Sequence, residues 1–404
     1  MSKISNLLKN PLIIPIAEVI AKAISFINIL LLIRILSIDE YADYSYMISI
    51  ILWASVLMDS GINDLVYNKS LLKDSSNFNR LYSSKIYLSL IIIIFLFLYF
   101  SLYEPELSSS AIILSFVILF SSLSSFLKMY SRGNGIVSVD ITTIITEPLI
   151  RFLLLITIYL LSSTISLTSW QFFLVYLLAG ILAFSYNYLQ LLPYYRFNLE
   201  IENFKKVSKS ILQTLSKTKY FFLYYLMFIG LQRIDIILIE KYSTKEDLAI
   251  FSTAITLFQV AHLFFYSLLT SKYLTFYKNK KVLYRFLLPG LLSIVILSQV
   301  LSIFIYKYLF PVEYSYGYHT FNIIIISLIP SVFSLYFILK NNYKSKTKIN
   351  FYILLFIFLV KFIVYQYLKP EEIDIYAKIY VIIEILLVII FMIQNQFNEN
   401  TPDK

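Results

Sequence analysis

The chain has 404 residues, 59% of them apolar and only 14% charged, against roughly 45–50% and about 25% for a soluble domain. With a mean hydropathy of +0.76, the lipid bilayer is the natural solvent for most of its surface. The lack of cysteine excludes disulfides, thiolate catalysis and Cys-ligated metals, and the two histidines, His262 and His319, leave little for a His-built metal site. The net charge of +10 would suggest a nucleic-acid partner in a soluble protein. Here the bases fall in short loops, where they set topology and meet anionic headgroups, and no nucleic acid is implied.

Apolar stretches of about 20 residues, the length that crosses about 30 Å of hydrocarbon, predict helices over 12–35, 45–67, 82–103, 109–131, 142–162 and 170–193. After a gap they continue over 219–240, 248–271, 286–308, 320–340, 349–368 and 375–394. The first is too long for the apolar part of a signal peptide. The fold class is therefore an all-α polytopic membrane protein with twelve transmembrane helices. Even-numbered turns are basic: Lys69, Lys73, Arg80 and Lys85; Lys128 and Arg132; Arg196, Lys205, Lys206, Lys209, Lys217 and Lys219; Lys272 to Arg285; Lys340 to Lys348. Odd turns carry few bases and hold acids such as Asp39, Glu40, Glu104, Glu106, Glu371 and Glu372. By the positive-inside rule the even turns and both termini are expected in the cytoplasm.

The longest loop falls at the midpoint, is basic, and is weakly amphipathic around Phe204 to Leu215. It predicts a six-helix lobe over 1–195, a cytoplasmic linker over 196–218 and a second six-helix lobe over 219–404. The halves look related. Leu31 to Ser45 (LLIRILSIDEYADYS) aligns with Ile237 to Ser252 (ILIEKYSTKEDLAIFS) through S-x-x-E and a closing aromatic-Ser, with one inserted residue. Each segment is a helix end, a short outer turn and the next helix start. Parallel pseudo-symmetry of this kind is how two-lobed transporters are built.

These residues resemble a Wzx-type lipid-linked oligosaccharide flippase, in the superfamily that includes lipid II flippases and MATE exporters. Arg34-Ile-Leu-Ser-Ile-Asp-Glu-Tyr-Ala-Asp-Tyr-Ser is similar to the family's R-x-L-(G/S)-x-x-E-(Y/F)-G-x-Y, and Asp59-Ser-Gly-Ile to the D-x-G that often follows. Asp235-Ile-Ile-Leu-Ile, then Glu246-Asp-Leu-Ala-Ile-Phe-Ser, are similar to its D-x-x-x-(I/L) and E-x-G-x-Y-(S/A). Ala42 and Ala249 stand where the family usually has glycine. The resemblance implies two six-helix bundles in a V, a polyprenyl-pyrophosphate oligosaccharide as substrate, and a place in the bacterial inner membrane. It also implies work beside a polysaccharide polymerase and chain-length machinery for lipopolysaccharide O-antigen or capsule.

Ionisable groups in a membrane core are costly, so each needs a reason. Glu18 and Lys22 are four apart on the first helix and share a face with Ser25; Glu147 and Arg151 repeat the spacing on the fifth, beside Pro148. Either pair could be a neutralised structural element or part of a transport path, and a proline suits a lobe that moves. On the seventh helix Arg233 and Asp235 point in different directions and cannot pair with each other, which leaves Arg233 for the cavity or for another helix. Lys361 on the eleventh also lacks a local acid. Glu384 on the twelfth has only apolar neighbours; it is either a partner for Lys361 or a proton carrier, a role that needs a carboxyl able to exist uncharged. The eighth helix carries a stripe from Thr256 through Gln259, His262 and Tyr266 to Thr270, suited to a sugar-lined path or to bonds between helices. On the fourth, Ser121 and Ser125 read as close-packing residues and Lys128 and Arg132 as cytoplasmic anchors. The aromatic residues read as mostly lipid-facing or interfacial.

No Gly-rich phosphate loop, catalytic triad or metal spacing is present, so no enzymatic activity and no cofactor are expected. Transport of the lipid-linked oligosaccharide from the cytoplasmic to the outer leaflet is the leading reading. Lys22, Arg151, Arg233 and Lys361 would meet the pyrophosphate, with Gln259 and His262 lining the path. Coupling to a proton or sodium gradient would use Glu384, Asp59, Glu147, Glu18 or Asp235. Because those acids balance the bases, a MATE-like exporter of small cations is the alternative. A polytopic polysaccharide polymerase is disfavoured by short outer loops, and a membrane scaffold would not need unpaired core charges.

Overall fold

A computed structural model describes residues 13–67, 75–161, 169–193, 202–278, 285 and 287–400. Among these, twelve helices are long and apolar enough to cross a membrane. They are α1 (Ile13–Ile35), α2 (Ile38–Asp59), α3 (Ser75–Tyr103), α4 (Ser108–Gly133), α5 (Val137–Leu161) and α6 (Ser169–Leu191). Then come α7 (Phe204–Tyr242), α8 (Lys245–Lys278), α9 (Leu288–Leu309), α10 (Gly317–Tyr343, with a 3-10 turn at Ile325–Ser327), α11 (Thr347–Leu368) and α12 (Ile373–Asn400). In hydrocarbon every backbone polar group must be satisfied within the protein, and helices do this locally.

Three helices start seven or more residues before the hydropathy reading. α2 starts at Ile38 rather than 45 because Ser37 caps it. The Ser37 N–H and hydroxyl donate to the Glu40 carboxylate at 3.0 and 3.1 Å, and the Glu40 N–H donates back to the Ser37 hydroxyl at 3.3 Å. It ends at Asp59, where Ser60 and Gly61 turn left-handed with φ of 45° and 78°, before a short helix Ile62–Tyr67. Glycine is needed there twice over, since a Cβ on Gly61 would also lie 2.7 Å from the Thr218 hydroxyl oxygen. α3 begins at Ser75 rather than 82, which draws Arg80 from the expected loop into the helix. α7 begins at Phe204, so the stretch read as a linker is helical from Phe204 onward, and residues 196–201 lie outside the described residues. A hydropathy window stops where lysines begin; a helix need not.

The second helix start also corrects the repeat register. Thr244 caps α8: the Asp247 N–H donates to its hydroxyl at 3.1 Å, and the Thr244 and Ser243 hydroxyls donate to the Asp247 carboxylate at 3.0 and 2.6 Å. Ser37–Ser45 therefore matches Thr244–Ser252 without the inserted residue. Ala42 and Ala249 fall at equivalent sites, both fully buried, which explains a small side chain in each half.

The chain forms two compact units. The first takes in residues up to Ile35 and Ile50–Phe222; the second takes in Leu36–Ser49 and residues from Leu223 onward. Within the first, Ser115 and Ser131 of α4 satisfy their hydroxyls on the carbonyls one turn back, at 2.7 and 2.9 Å, which lets neighbours pack closely. The core of the second is rich in tyrosine. Tyr41, Tyr306, Tyr314, Tyr365 and Tyr376 are among the largest fully buried side chains and so face the protein interior rather than lipid. Tyrosine fills volume and brings a hydroxyl that can bond inside the bundle: Tyr306 meets the Thr253 hydroxyl at 3.3 Å, for example.

Candidate functional site

Four of the ionisable residues singled out from sequence converge in the second unit. Lys361 on α11 donates to the Asp235 carboxylate of α7 at 2.5 Å and to the Leu231 carbonyl at 3.0 Å. Both side chains of this ion pair are about 1% exposed. The Tyr365 hydroxyl, one turn along α11, donates to the other Asp235 oxygen. Lys361 also lies 4.8 Å from the ring centre of Tyr380 on α12. Glu384 follows Tyr380 by one turn, is buried, and sits within electrostatic reach of Lys361 and Asp235. It has no hydrogen bond or ion pair among the described residues, so the partner of Lys361 is Asp235 and not Glu384, the first of the two roles the sequence left open for that residue. Arg233 lies within reach of Tyr41, Tyr44 and Tyr380 and makes no ion pair among the described residues. Ionised throughout, Arg233 and Lys361 balance Asp235 and Glu384; with Glu384 protonated the cluster carries one net positive charge.

On α8, His262 is buried and stacks on Phe258 with ring centres 5.7 Å apart, and Phe258 meets Tyr380 at 5.6 Å. Gln259 is half-buried. Thr256 lies beside Tyr41. The α8 stripe thus abuts the charged cluster through aromatic rings and a hydroxyl.

The first unit holds three separate polar groups. Arg132 on α4 binds Asp140 of α5 through Nε at 2.9 Å and Glu18 of α1 through Nη2 at 3.0 Å. Glu18 is therefore paired with Arg132 across helices and not with Lys22 along its own, and Arg132 is an interhelical clamp rather than a loop anchor. A planar guanidinium can reach two carboxylates at once, which the Lys22 ammonium is not placed to do. Glu147 and Arg151 do pair, at 2.7 Å; Ser121 donates to Glu147 at 2.5 Å and Arg151 lies 4.4 Å from the ring centre of Tyr176. Asp59 is held by Lys85 at 3.0 Å, and Lys85, fully buried, also donates to Asn63 at 2.8 Å. The Asn63 amide donates in turn to Ser125 at 3.3 Å. Ser121 and Ser125 thus bond to other helices, beyond simple close packing. Lys85 and Asp140 were not among the candidates; the signal for Asp140 was its place eight residues after Arg132, across a turn.

Residues 7–278, two thirds of the chain, match the family described as polysaccharide biosynthesis protein. The chain belongs to that family. No curated protein matches it by sequence. Among solved structures, an inward-facing multidrug resistance MATE family transporter of the MOP superfamily is similar, with a TM-score of 0.71, 11% identity, and 93% of this chain and 94% of that one covered. The lipid II flippase MurJ in an inward closed conformation gives 0.64, 16%, and 95% and 87%. A MOP superfamily transporter from Pyrococcus furiosus, described as having a binding pocket of reverse polarity that suggests a different function, gives 0.55, 14%, and 97% of each chain. At these identities the likeness shows the fold, which is MATE-like, all-helical and of twelve spans. Among the described residues no group of three or more His, Asp or Glu is placed to hold a metal ion.

Proposed function

We propose that this family member moves a polyprenyl-pyrophosphate-linked oligosaccharide repeat unit from the cytoplasmic to the outer leaflet of a bacterial inner membrane, for O-antigen or capsule. Both termini and the basic turns would face the cytoplasm, and the 1–195 and 219–404 halves would act as lobes. Family membership supports a role in polysaccharide synthesis, and the fold is one shared by a lipid II flippase. The observation that carries the choice of substrate is Arg233: a half-buried arginine within a span, in electrostatic reach of Tyr41, Tyr44 and Tyr380, with no ion pair among the described residues. Such a charge is too costly in hydrocarbon to serve only as filling, and its planar fork suits phosphate. Of the other bases singled out, Arg151 and Lys361 already hold carboxylates.

Coupling is read at Glu384. A proton taken up there leaves the Arg233–Lys361–Asp235–Glu384 cluster with net positive charge, ready for an anion; its release restores neutrality and lets the anion go. The second reading, a cation-coupled exporter of small molecules, draws on the likeness to a multidrug MATE transporter. It would leave Arg233 without a ligand of opposite charge.

Arg233→Ala is expected to lower surface polysaccharide about tenfold or more in cells relying on this protein, with its amount in the membrane unchanged. That is the order set by losing a hydrogen bond to a charged group, about 1.5–3 kcal/mol. Arg233→Lys, which keeps the charge but not the fork, should fall between. Normal polysaccharide from Arg233→Ala would count against the role assigned to this residue.

A further inference from the structure

In the second unit α11 packs against α12, and the two helices leave a groove between them. Its walls are Ile349, Tyr352 and Ile353 of α11 and Ile390, Ile393 and Gln394 of α12, around a volume of about 310 Å³. Each set is spaced i, i+3, i+4, so each comes from one helix face. The α11 span begins at Thr347 and the α12 span ends at Gln396. Ile349 and Gln394 therefore lie just inside the same side of the membrane, and Ile353 and Ile390 lie deeper, about 9 Å in at about 1.5 Å per residue. The groove is a slot that runs inward from the interface. Tyr352 is 52% and Ile393 48% exposed, and within a span that exposure is to lipid.

The mouth of the slot is basic. Lys346 caps α11 one turn before Ile349, and Lys348 lies 5.8 Å from the ring centre of Tyr352. With Lys344 they put three lysines in five residues, and between Glu313 and Glu371 the chain has no acid. On α12, Glu384 lies well below Gln394 and Glu399 beyond it, so one carboxylate against three ammoniums leaves this end positive. The Gln394 Oε1 accepts from the Asn341 and Asn395 amides at 3.2 and 3.3 Å. Its Nε2 is buried and has no acceptor among the described residues, so this wall is one hydrogen bond short. The terminal amide torsion is broad, and a turn of it would offer Nε2 to an acceptor seated in the slot.

An apolar slot, an amide donor at its upper end and cations above it follow the order of acyl chain, ester and phosphate in a phospholipid. We propose that this groove binds one anionic phospholipid, with an acyl chain between α11 and α12 and its phosphate at Lys346 and Lys348. Basic loops attract anionic headgroups wherever they meet a membrane. The slot adds a place that fixes a single lipid, beside the helices that carry Lys361 and Glu384. A polyprenyl phosphate has no glycerol ester to meet Gln394, which favours the bilayer lipid. The site does not depend on what the protein transports.

The test is native mass spectrometry of the full-length protein in detergent, with phosphatidylglycerol and phosphatidylcholine of the same chains added in equal amounts. Wild type should retain a single phosphatidylglycerol per chain, about fivefold or more over phosphatidylcholine. Lys346→Gln combined with Lys348→Gln should bring that ratio to about one. Lys205→Gln, on an exposed lysine of α7, should leave it unchanged. Ile393→Trp, which crowds the slot from its lipid-exposed wall, should lower retention of both lipids. The lysine substitutions, at the exposed turn and helix start, keep the test decisive if the tryptophan variant folds poorly. Equal retention of the two lipids by wild type, or a double lysine variant that selects as wild type does, would overturn the site. An equal loss of selectivity in Lys205→Gln would mean diffuse attraction to basic loops and would also overturn it. Stronger retention of a polyprenyl phosphate than of phosphatidylglycerol would give the groove to the substrate's lipid and overturn the phospholipid assignment.

Discussion

Lys361→Met is expected to be among the most damaging substitutions in the second unit, lowering stability by about 3–5 kcal/mol, the cost of leaving a buried charge without its partner. It strands the Asp235 carboxylate, which is about 1% exposed and would keep only the Tyr365 hydroxyl. Lys361→Met combined with Asp235→Asn should recover most of the loss, because a buried pair replaced on both sides is often near neutral. Glu384→Gln should cost far less than Asp235→Asn, since Glu384 bonds to no described residue. Thermal unfolding of the purified variants in detergent reads this directly. If Glu384→Gln proved as damaging as Asp235→Asn, and Lys361→Met rescued it, the pairing described here would be wrong and Glu384 would be a structural partner. If it left the fold intact and removed the dependence of transport on the proton gradient, it would be the coupling group.

Arg132→Met should have the corresponding effect in the first unit, again about 3–5 kcal/mol, and the two acids it holds should not share that cost equally. Asp140 is fully shielded, while the Glu18 side chain is 35% exposed. Water and salt screen an exposed pair to about 1 kcal/mol or less. Asp140→Asn is therefore expected to destabilise strongly and Glu18→Gln weakly. Equal effects would mean that Glu18 is more enclosed than the structure shows.

These partners explain what could and could not be read from the chain. The spans were legible because each needs a run of apolar residues, and the cap signals Ser37–Glu40 and Thr244–Asp247 were visible as spacing, although their register was one residue out. The partners of the core charges were not legible. Helical spacing reveals only residues three or four apart, and it served for Glu147 and Arg151. Lys361 and Asp235 are separated by 126 residues, and Arg132 and Glu18 by 114. Such pairs are set by which helices touch, which is a property of the folded bundle. Arg80 was misplaced for a simpler reason: the helix was started at 82, after that charge, although it continues back to Ser75.

The central claim is movement of a lipid-linked oligosaccharide, and the most direct measurement is made in vesicles containing the purified protein. Polyprenyl-pyrophosphate oligosaccharide is placed in both leaflets, a proton gradient is imposed, and the fraction open to a membrane-impermeant glycosidase outside is followed with time. Transport predicts that this fraction rises from about half towards completion with wild type, and that it rises much more slowly with Arg233→Ala. A fraction that stays at its starting value, from protein that exports a small organic cation under the same gradient, would contradict it and establish the exporter reading.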